Sequence, residues 1–472
     1  MNAHQFHHTV LREYDIRGIV GQTIRVDDAL ALGRAFGSVI VREGGGKKSV
    51  CVGYDGRLHS PELEAALVRG LTEAGCDVIR IGLGPTPLLY YSVFHLEAGG
   101  GVMITGSHNP SDQNGFKLML GKRAFFGADI TRLGPIAAKG AFVQGKGSVK
   151  QVQPFADYLA GLVKGYSVGA SAPRRTLSVA WDPGNGAAGD VVAALVPKLP
   201  GRHVVINATI DGTFPAHHPD PAEEHNLVQL QEAVKANRCD LGIAFDGDGD
   251  RIGIIDGQGK VLWADMLLAL MAREVLRERP GSTIIADVKS SQVLYDEIAR
   301  LGGKPLMWRT GHALIKAKLF EINAPLAGEL SGHLFFADHY FGFDDAIYAA
   351  VRFLAMLARN EQTLAQLVAS LPQLPNTPEM RIFCAEERKF AVVEELRDRM
   401  RAAGANIIDV DGVRVETADG WWLVRASNTQ AALVARAEGR DEKALARLRA
   451  TLESELGKSG VAVPAAGAGH AH

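Results

Sequence analysis

Three aspartates at alternate positions, separated by glycines, are the strongest chemical signal in the sequence. They are Asp246, Asp248 and Asp250, and Arg251 follows directly. Carboxylate oxygens spaced in this way converge on one hard cation, which favours Mg²⁺ or Ca²⁺ over softer metals. An EF-hand is excluded because its invariant glycine would fall on Arg251 and its closing glutamate on Gly257. Arg251 suits a phosphate that the metal also touches.

A serine in the loop 105–110 is the candidate nucleophile. The loop reads Thr-Gly-Ser-His-Asn-Pro, and the small and apolar residues before it predict a strand that ends at Thr105. Open α/β sheets bind ligands at the carboxyl ends of their strands, so Ser107 is predicted to be an exposed side chain in a ligand-facing loop. A hydrolase nucleophile elbow requires a glycine two residues after the serine, and Asn109 occupies that position.

Two further loops carry groups that bind sugar hydroxyls and phosphate. In the loop 328–333, Glu329, Ser331 and His333 can exchange hydrogen bonds with a polyol. After the predicted strand 422–424, an arginine with hydroxyl and amide groups can hold a phosphate; these residues are Arg425, Ser427, Asn428 and Thr429. Taken singly, each of these loops, like the short motifs around Tyr14, Arg17, Arg57, Lys117, Lys289 and His312, is also typical of an ordinary polar turn.

The composition is that of a soluble globular protein. Of the 472 residues, 47% are hydrophobic and 22% are charged, and the net charge of -2 gives no general reason to expect nucleic acid or an acidic membrane as a partner. The four cysteines form no CxxC pair, which favours a reducing compartment over a disulfide framework. The first ten residues lack the apolar core of a signal peptide, and no apolar run approaches the length of a membrane span. These features predict a cytoplasmic protein.

Short apolar runs alternate with amphipathic stretches, which is typical of α/β domains. Strands are predicted over 49–54, 77–81, 101–105, 176–181, 203–206, 241–245, 283–288 and 306–308, and helices over 61–73, with Ser60 as its cap, and 442–456. From about Glu379 the pattern changes to a smaller α+β unit. We therefore predict four domains, over residues 1–155, 156–257, 258–372 and 373–460, and a disordered Ala/Gly/His-rich tail over 461–472.

The set of motifs resembles the α-D-phosphohexomutase superfamily and, within it, the bacterial phosphomannomutase/phosphoglucomutase group. The resemblance extends over nearly the whole chain, in order, through residues 14–18, 105–110, 114–117, 246–251, 328–333 and 425–429. It implies three related α/β domains with mixed sheets and a smaller α+β C-terminal domain, arranged around a central cleft into which each domain contributes one loop.

The resemblance also implies a role for each matching residue. Ser107 is expected to be a phosphoserine and to share one Mg²⁺ with Asp246, Asp248 and Asp250. Glu329 and Ser331 are expected to contact sugar hydroxyls, with His333 supporting their loop. The residues 425–429 are expected to hold the substrate's non-reacting phosphate. The residues expected around the reacting phosphate, some of them assisting proton transfer, are Arg17, Lys117, Arg251 and His312, and Tyr14 and Lys289 complete the substrate contacts.

The implied activity is that of an isomerase that interconverts hexose 1-phosphates and hexose 6-phosphates. Mannose and glucose phosphates are the expected substrates, and a hexose 1,6-bisphosphate is the expected intermediate and activator. Phosphoglucosamine mutase is the alternative within the family; such enzymes typically carry Gln where this chain has Leu330. A Mg²⁺-dependent sugar phosphatase or a catalytically silent sugar-phosphate binder are alternatives of other classes. No nucleic-acid or membrane partner is expected, and the site requires no oligomer.

Overall fold

The short apolar runs of the sequence form strands, and the amphipathic segments between them form helices that cover four β-sheets. The computed structural model of the chain describes residues 2–169, 172–428 and 430–463. Within these ranges the first three sheets are mixed and the fourth is antiparallel, so the predicted α/β class is confirmed. The predicted tail lies largely in residues 464–472, outside the described residues.

The first sheet delivers Ser107 at the end of a central strand. Its strands follow the order β1-β5-β4-β2-β3-β7, and β6 pairs with β5. Its strands are β1 (Ile16–Ile19), β2 (Ser49–Tyr54), β3 (Asp77–Leu83), β4 (Gly100–Ile104), β5 (Gln113–Leu120), β6 (Arg123–Phe125) and β7 (Val149–Gln151), and the helices are α1 (Val26–Glu43), α2 (Ser60–Glu73), α3 (Thr86–His95), α4 (Ala128–Thr131) and α5 (Leu133–Ala138). The prediction of Ser60 as the cap was wrong: Ser60 is the first residue of α2, His59 is the cap residue, and the Ser60 hydroxyl donates to Asp55 Oδ1 at 2.6 Å.

The second and third sheets repeat one pattern, in which two parallel strand pairs are followed by an antiparallel hairpin. The second sheet has the order β12-β11-β10-β8-β9 and the third has the order β14-β13-β15-β16. The second unit contains α6 (Phe155–Gly165), β8 (Leu177–Asp182), α7 (Gly189–Leu195), β9 (Gly201–Val205), α8 (Val228–Asn237), β10 (Leu241–Phe245), β11 (Ile252–Asp256) and β12 (Val261–Leu262). The third contains α9 (Ala264–Glu278), β13 (Thr283–Asp287), α10 (Gln292–Arg300), β14 (Lys304–Trp308), α11 (His312–Ile322), β15 (Leu326–Gly328), β16 (Leu334–Phe336), α12 (Ala346–Arg359) and α13 (Leu364–Ala369).

The fourth sheet is antiparallel, in the order β17-β21-β20-β19-β18. Its elements are β17 (Met380–Phe383), α14 (Lys389–Ala402), β18 (Asn406–Ile408), β19 (Val413–Thr417), β20 (Gly420–Ala426), β21 (Ala432–Gly439) and α15 (Glu442–Gly457). The predicted domain boundaries stay predictions. The hairpin of β11 and β12 belongs to the second sheet although it continues past residue 257.

We call signature loops the four loops that carry Ser107, the three aspartates, Glu329 and Ser427, and each of them joins two antiparallel strands that pair directly. The loops connect β4 with β5, β10 with β11, β15 with β16 and β20 with β21. A hairpin end projects beyond the sheet, with both strands fixing its base. The fold therefore offers four short, well-anchored loops for one site.

One hydrophobic cluster is shared by the first three units, a second is confined to the first unit, and the fourth unit has its own. The shared cluster extends from Cys51 to Leu371, the second lies between Val10 and Phe142, and that of the fourth unit lies between Ile382 and Val461. A small contact of Val288 with Trp421 and Leu423 joins the third unit to the fourth. The four cysteines are free and buried. Within the described ranges, no helix is long and apolar enough to cross a membrane.

Candidate active site

The four signature loops meet in one region. The hydroxyl of Ser107 donates to Asp246 Oδ2 at 2.7 Å, which joins the first loop to the second. Arg251 Nε donates to His333 Nε2 at 3.1 Å, which joins the second loop to the third. The fourth loop reaches the same region through Asn428, whose amide donates to the hydroxyl of Tyr14.

Ser107 is buried, with 1% of its surface exposed, so the prediction of an exposed serine was wrong. The second loop covers it: a Cβ on Gly247 would lie 2.3 Å from the Ser107 carbonyl oxygen, so only glycine fits there. Ser107 also has a φ of 48°, an uncommon conformation for a residue with a side chain. A strained backbone held by close packing is typical of functional positions.

A buried arginine, whose motif in the sequence is typical of an ordinary polar turn, holds the loop 105–110. The Arg57 guanidinium donates to the carbonyl oxygens of Ser107 at 2.8 Å and of Gln113 at 2.9 Å. Asp55 lies 3.3 Å from Arg57 and accepts from the Gly106 amide at 3.1 Å. A Cβ on Gly106 would lie 2.5 Å from the Arg57 guanidinium carbon, so glycine is required for this close approach. The turn-like motif 55–57 gives no local sign of these contacts.

The three aspartates are buried, and their carboxylate oxygens lie within 4.8 Å of one another. Lys117 from β5 binds Asp248 at 2.7 Å and Asp250 at 2.5 Å. One oxygen of each of these two aspartates has no hydrogen-bond partner among the described residues. Burial and repulsion from its two neighbours raise the pKa of Asp246 well above its ordinary value. An all-oxygen donor set with excess buried negative charge fits a hard divalent cation such as Mg²⁺.

A network of histidines and charges lies against this cluster. His333 Nδ1 lies 3.2 Å from Asp344 and 3.6 Å from Asp250, and its ring stacks on that of His312 at 5.2 Å. Burial lowers the pKa of His312, although Asp344, 3.4 Å away, partly opposes this. Lys316 binds the other oxygen of Asp344 at 2.5 Å. Asp344 lies in no motif of the sequence, so sequence reasoning missed it.

Glu329 and Ser331 share one hydrogen bond at the head of the third loop. The Ser331 hydroxyl donates to Glu329 Oε2 at 2.9 Å, and the Gly311 amide donates to Oε1 of the same carboxylate. The Gly311 amide immediately precedes His312. The loop 328–333 and the start of α11 are therefore fixed to each other.

Two cationic residues reach this region from the edges of the site. Arg17 binds Asp15 at 2.6 Å and donates to the Asn109 side chain at 2.5 Å, which places it beside the nucleophile loop. Lys289 binds Glu379 of the fourth unit at 2.8 Å. Burial alone would lower the pKa of Lys289, but Glu379 and Asp287 raise it above its ordinary value.

Arg425 is buried and has one guanidinium nitrogen without a hydrogen-bond partner among the described residues. Its Nε donates to Asp411 Oδ2 at 2.8 Å, while its Nη2 is buried without a hydrogen-bond partner among the described residues. Ser427 is also buried, and its hydroxyl accepts from the Gln430 amide at 3.2 Å. Thr429, the last residue predicted for this loop, lies outside the described residues.

The chain matches four family models in order along its length. They are phosphoglucomutase/phosphomannomutase alpha/beta/alpha domains I, II and III, matched by residues 8–133, 156–259 and 263–374, and the phosphoglucomutase/phosphomannomutase C-terminal domain, matched by residues 379–454.

Two relatives and one solved structure match nearly the whole chain. The phosphomannomutase/phosphoglucomutase of Pseudomonas aeruginosa is 42% identical over 448 residues, which cover 95% of this chain and 95% of that protein. A phosphoglucomutase of Neisseria gonorrhoeae is 40% identical over 93% of this chain and 95% of its own length. The crystal structure of a phosphoglucomutase/phosphomannomutase family protein from Burkholderia thailandensis has a TM-score of 0.90 at 39% identity, covering 98% of this chain and 100% of that chain.

Proposed function

The chain belongs to the phosphoglucomutase/phosphomannomutase family of mutases, which are isomerases, and from this premise we propose that it moves a phosphoryl group between O1 and O6 of glucose and mannose phosphates. The contact of Ser107 Oγ with Asp246, inside a buried aspartate cluster, is the observation that carries the proposal. A hydroxyl in this position can accept a phosphoryl group where a cation and several basic residues neutralise its charge.

The metal is proposed to be one Mg²⁺ per chain, held by Asp246, Asp248 and Asp250 together with an oxygen on Ser107. The unpartnered carboxylate oxygens and the oxygen-only donor set support this assignment. When bound, the ion supplies Lewis-acid neutralisation of charge on the phosphoryl group in transfer. Arg17, which donates to Asn109 of the Ser107 loop, and Arg251, which follows the aspartates, are proposed to orient the same group.

The proton that leaves the attacking sugar hydroxyl requires a neutral base nearby. His312 fits this role because burial lowers its pKa and keeps its ring neutral. The His333 ring is stacked on that of His312, and its Nδ1 lies 3.6 Å from Asp250. Proton transfer is assigned to this histidine pair, with His312 as the group that accepts the proton. Lys117 carries its proton, because the surrounding aspartates raise its pKa above the ordinary lysine value despite burial, and is therefore proposed to donate.

The reaction transfers the phosphoryl group twice. Ser107 first gives its phosphoryl group to the free hydroxyl, which forms a hexose 1,6-bisphosphate, and then accepts the other phosphoryl group from the reoriented intermediate. The loop with Arg425, Ser427, Asn428 and Thr429 is proposed to hold whichever phosphate is not reacting. Glu329, Ser331, Tyr14 and Lys289 are proposed to contact the sugar. The proposed roles need no residue from a second chain, and a cytoplasmic location is proposed.

The experiment is a coupled assay with purified protein. Mannose 1-phosphate, glucose 1-phosphate and glucosamine 1-phosphate are compared at matched concentrations with a trace of glucose 1,6-bisphosphate, and inorganic phosphate is measured in parallel. Formation of 6-phosphates from mannose and glucose, with no phosphate release, is the expected result. Preference for glucosamine 1-phosphate would indicate a phosphoglucosamine mutase, and stoichiometric phosphate release would indicate a phosphatase.

A further inference from the structure

Two nitrogens of the Arg425 guanidinium have different environments. Nε donates to Asp411 Oδ2 at 2.8 Å, while Nη2 is buried and has no hydrogen-bond partner among the described residues. An arginine binds a phosphate best when its fork is already fixed, because fewer rotamers are lost on binding. Asp411 occupies Nε and leaves Nη2 available for a ligand.

The chain turn that carries Asp411 is shaped for this contact. It lies between β18 and β19, and Gly412 in it has a φ of 82°. A Cβ on Gly412 would lie 2.6 Å from Arg425 Cβ and 2.4 Å from the Val424 carbonyl oxygen. A residue with a side chain at this position would therefore clash with the backbone and Cβ of the strand that carries Arg425, next to the Asp411 contact.

Asp411 also reaches the third unit. The oxygen that accepts from Arg425 accepts the Thr310 amide at 3.0 Å. The Thr310 carbonyl in turn accepts the Tyr14 hydroxyl at 2.7 Å, and that hydroxyl accepts from the Asn428 amide. The bonds form a closed ring through three units: from Arg425 to Asp411, Thr310, Tyr14 and Asn428, and back to the Arg425 loop.

We propose that Asp411 is a positioning residue, which presents Arg425 to the non-reacting phosphate and fixes the phosphate loop against the Thr310 turn. The inference rests on the proposed function, since it takes Arg425 to be a phosphate ligand. The Thr310 turn precedes His312, and Gly311 within it donates to Glu329. Binding of a phosphate by Arg425 is thereby connected, through Asp411, to the segment 310–312. This segment contains His312 and contacts Glu329.

The test measures binding directly, in a Ser107→Ala background that does not turn over. Calorimetry with glucose 1-phosphate compares the parent with Asp411→Ala, Arg425→Ala and the double variant. Asp409→Ala is the matched control, because Asp409 lies two residues away and pairs with Arg401 on the surface. Loss of the Asp411 contact is expected to weaken binding about tenfold, and Arg425→Ala to weaken it by at least as much. The double variant should bind no worse than Arg425→Ala alone, because Asp411 acts through Arg425.

A positioning role also predicts a kinetic result that general destabilisation does not. With Ser107 intact, Asp411→Ala should raise KM for the 1-phosphate and the 6-phosphate alike and change kcat less. Asp411→Asn, which keeps one acceptor oxygen, should be intermediate in binding, and it decides the question if the alanine variant does not fold.

Three results are distinguishable. Parent-like binding by the Asp411 variants, with weak binding by Arg425→Ala, would overturn the inference and leave the proposed function standing. Losses that add in the double variant would show that Asp411 acts independently of Arg425. Parent-like binding by Arg425→Ala would instead show that Arg425 is not a phosphate ligand, which contradicts the proposed function as well as the inference.

Discussion

Ser107 Oγ and Asp246 Oδ2 are 2.7 Å apart although 139 residues separate them in the sequence. A phosphoryl group on Ser107 would place further negative charge against three buried carboxylates, which is unfavourable without a cation. Phosphorylation of the serine and occupation of the aspartate cluster are therefore expected to favour each other.

The first prediction concerns the metal. Because Asp248 and Asp250 each keep an unpartnered buried oxygen, excess Mg²⁺ should bind the folded chain and raise its thermal midpoint by about 5 °C. Asp248→Asn should lose most of this increase and reduce kcat by about a hundredfold or more, since the ion acts on the phosphoryl group in transfer. Thermal unfolding with and without EDTA, together with the coupled assay, measures both effects.

Asp190→Asn is the control for the metal prediction, since Asp190 is an exposed aspartate of α7 in the same unit. It should leave the Mg²⁺-induced increase and turnover unchanged. Full activity of the unmodified protein in excess EDTA would show that the aspartates have another role.

The second prediction concerns the contact of Gly247 with Ser107. A Cβ at Gly247 would lie 2.3 Å from the Ser107 carbonyl oxygen, so Gly247→Ala must move the Ser107 loop and the aspartate loop apart. A displacement of this kind costs about 1–3 kcal/mol of stability, and misplacing the reacting atoms should reduce kcat about a hundredfold. Gly161→Ala in α6 is the control, because its nearest neighbour would be 3.7 Å away. Equal activity of the two variants would mean that this packing does not position Ser107.

The third prediction separates two histidines whose pKa shifts have opposite signs. Burial lowers the pKa of His312, so the unfolded chain binds its proton first and the folded state loses stability as pH falls below about 6.5. Burial also opposes a proton on His217, but the hydrogen bond to Asp182 raises the pKa of His217 in the folded chain. The stability that this histidine adds to the folded state is therefore complete below about pH 6.5 and is lost as pH rises through the higher folded pKa.

Thermal midpoints of His312→Asn and His217→Asn at acid and alkaline pH measure these signs. Relative to the unsubstituted protein, His312→Asn should be less destabilising at acid pH than at alkaline pH. His217→Asn should be more destabilising at acid pH than at alkaline pH. The same pH dependence in both variants would contradict the assignment of a neutral His312.

Local sequence patterns were sufficient for most strands. The predicted strand 241–245 coincides with β10, because a fully apolar run ends in a turn of alternating Asp and Gly. The aspartate cluster was equally clear, since its members are neighbours in the sequence. Such signals are carried by adjacent residues and need no knowledge of the fold.

Features that depend on tertiary contacts were not predictable. Ser60 matches a capping pattern, but its hydroxyl binds Asp55 in the folded chain. Arg57, Asp344 and Asp411 act on residues more than ten positions away, and no spacing rule connects them to their partners. The burial of Ser107 depends on the approach of Gly247 from another sheet. Each of these features depends on contacts between segments that are distant in the sequence.

The central claim is that Ser107 carries the transferred phosphoryl group. The most direct measurement is the intact mass of the protein and of Ser107→Ala after incubation with glucose 1,6-bisphosphate and Mg²⁺, followed by peptide mapping. The account predicts one added phosphoryl group on the unsubstituted protein, mapped to Ser107 and removed by added glucose 6-phosphate, and none on Ser107→Ala, which should also lack turnover. Phosphorylation of Ser107→Ala to the same extent, or substantial turnover by it, would contradict the account.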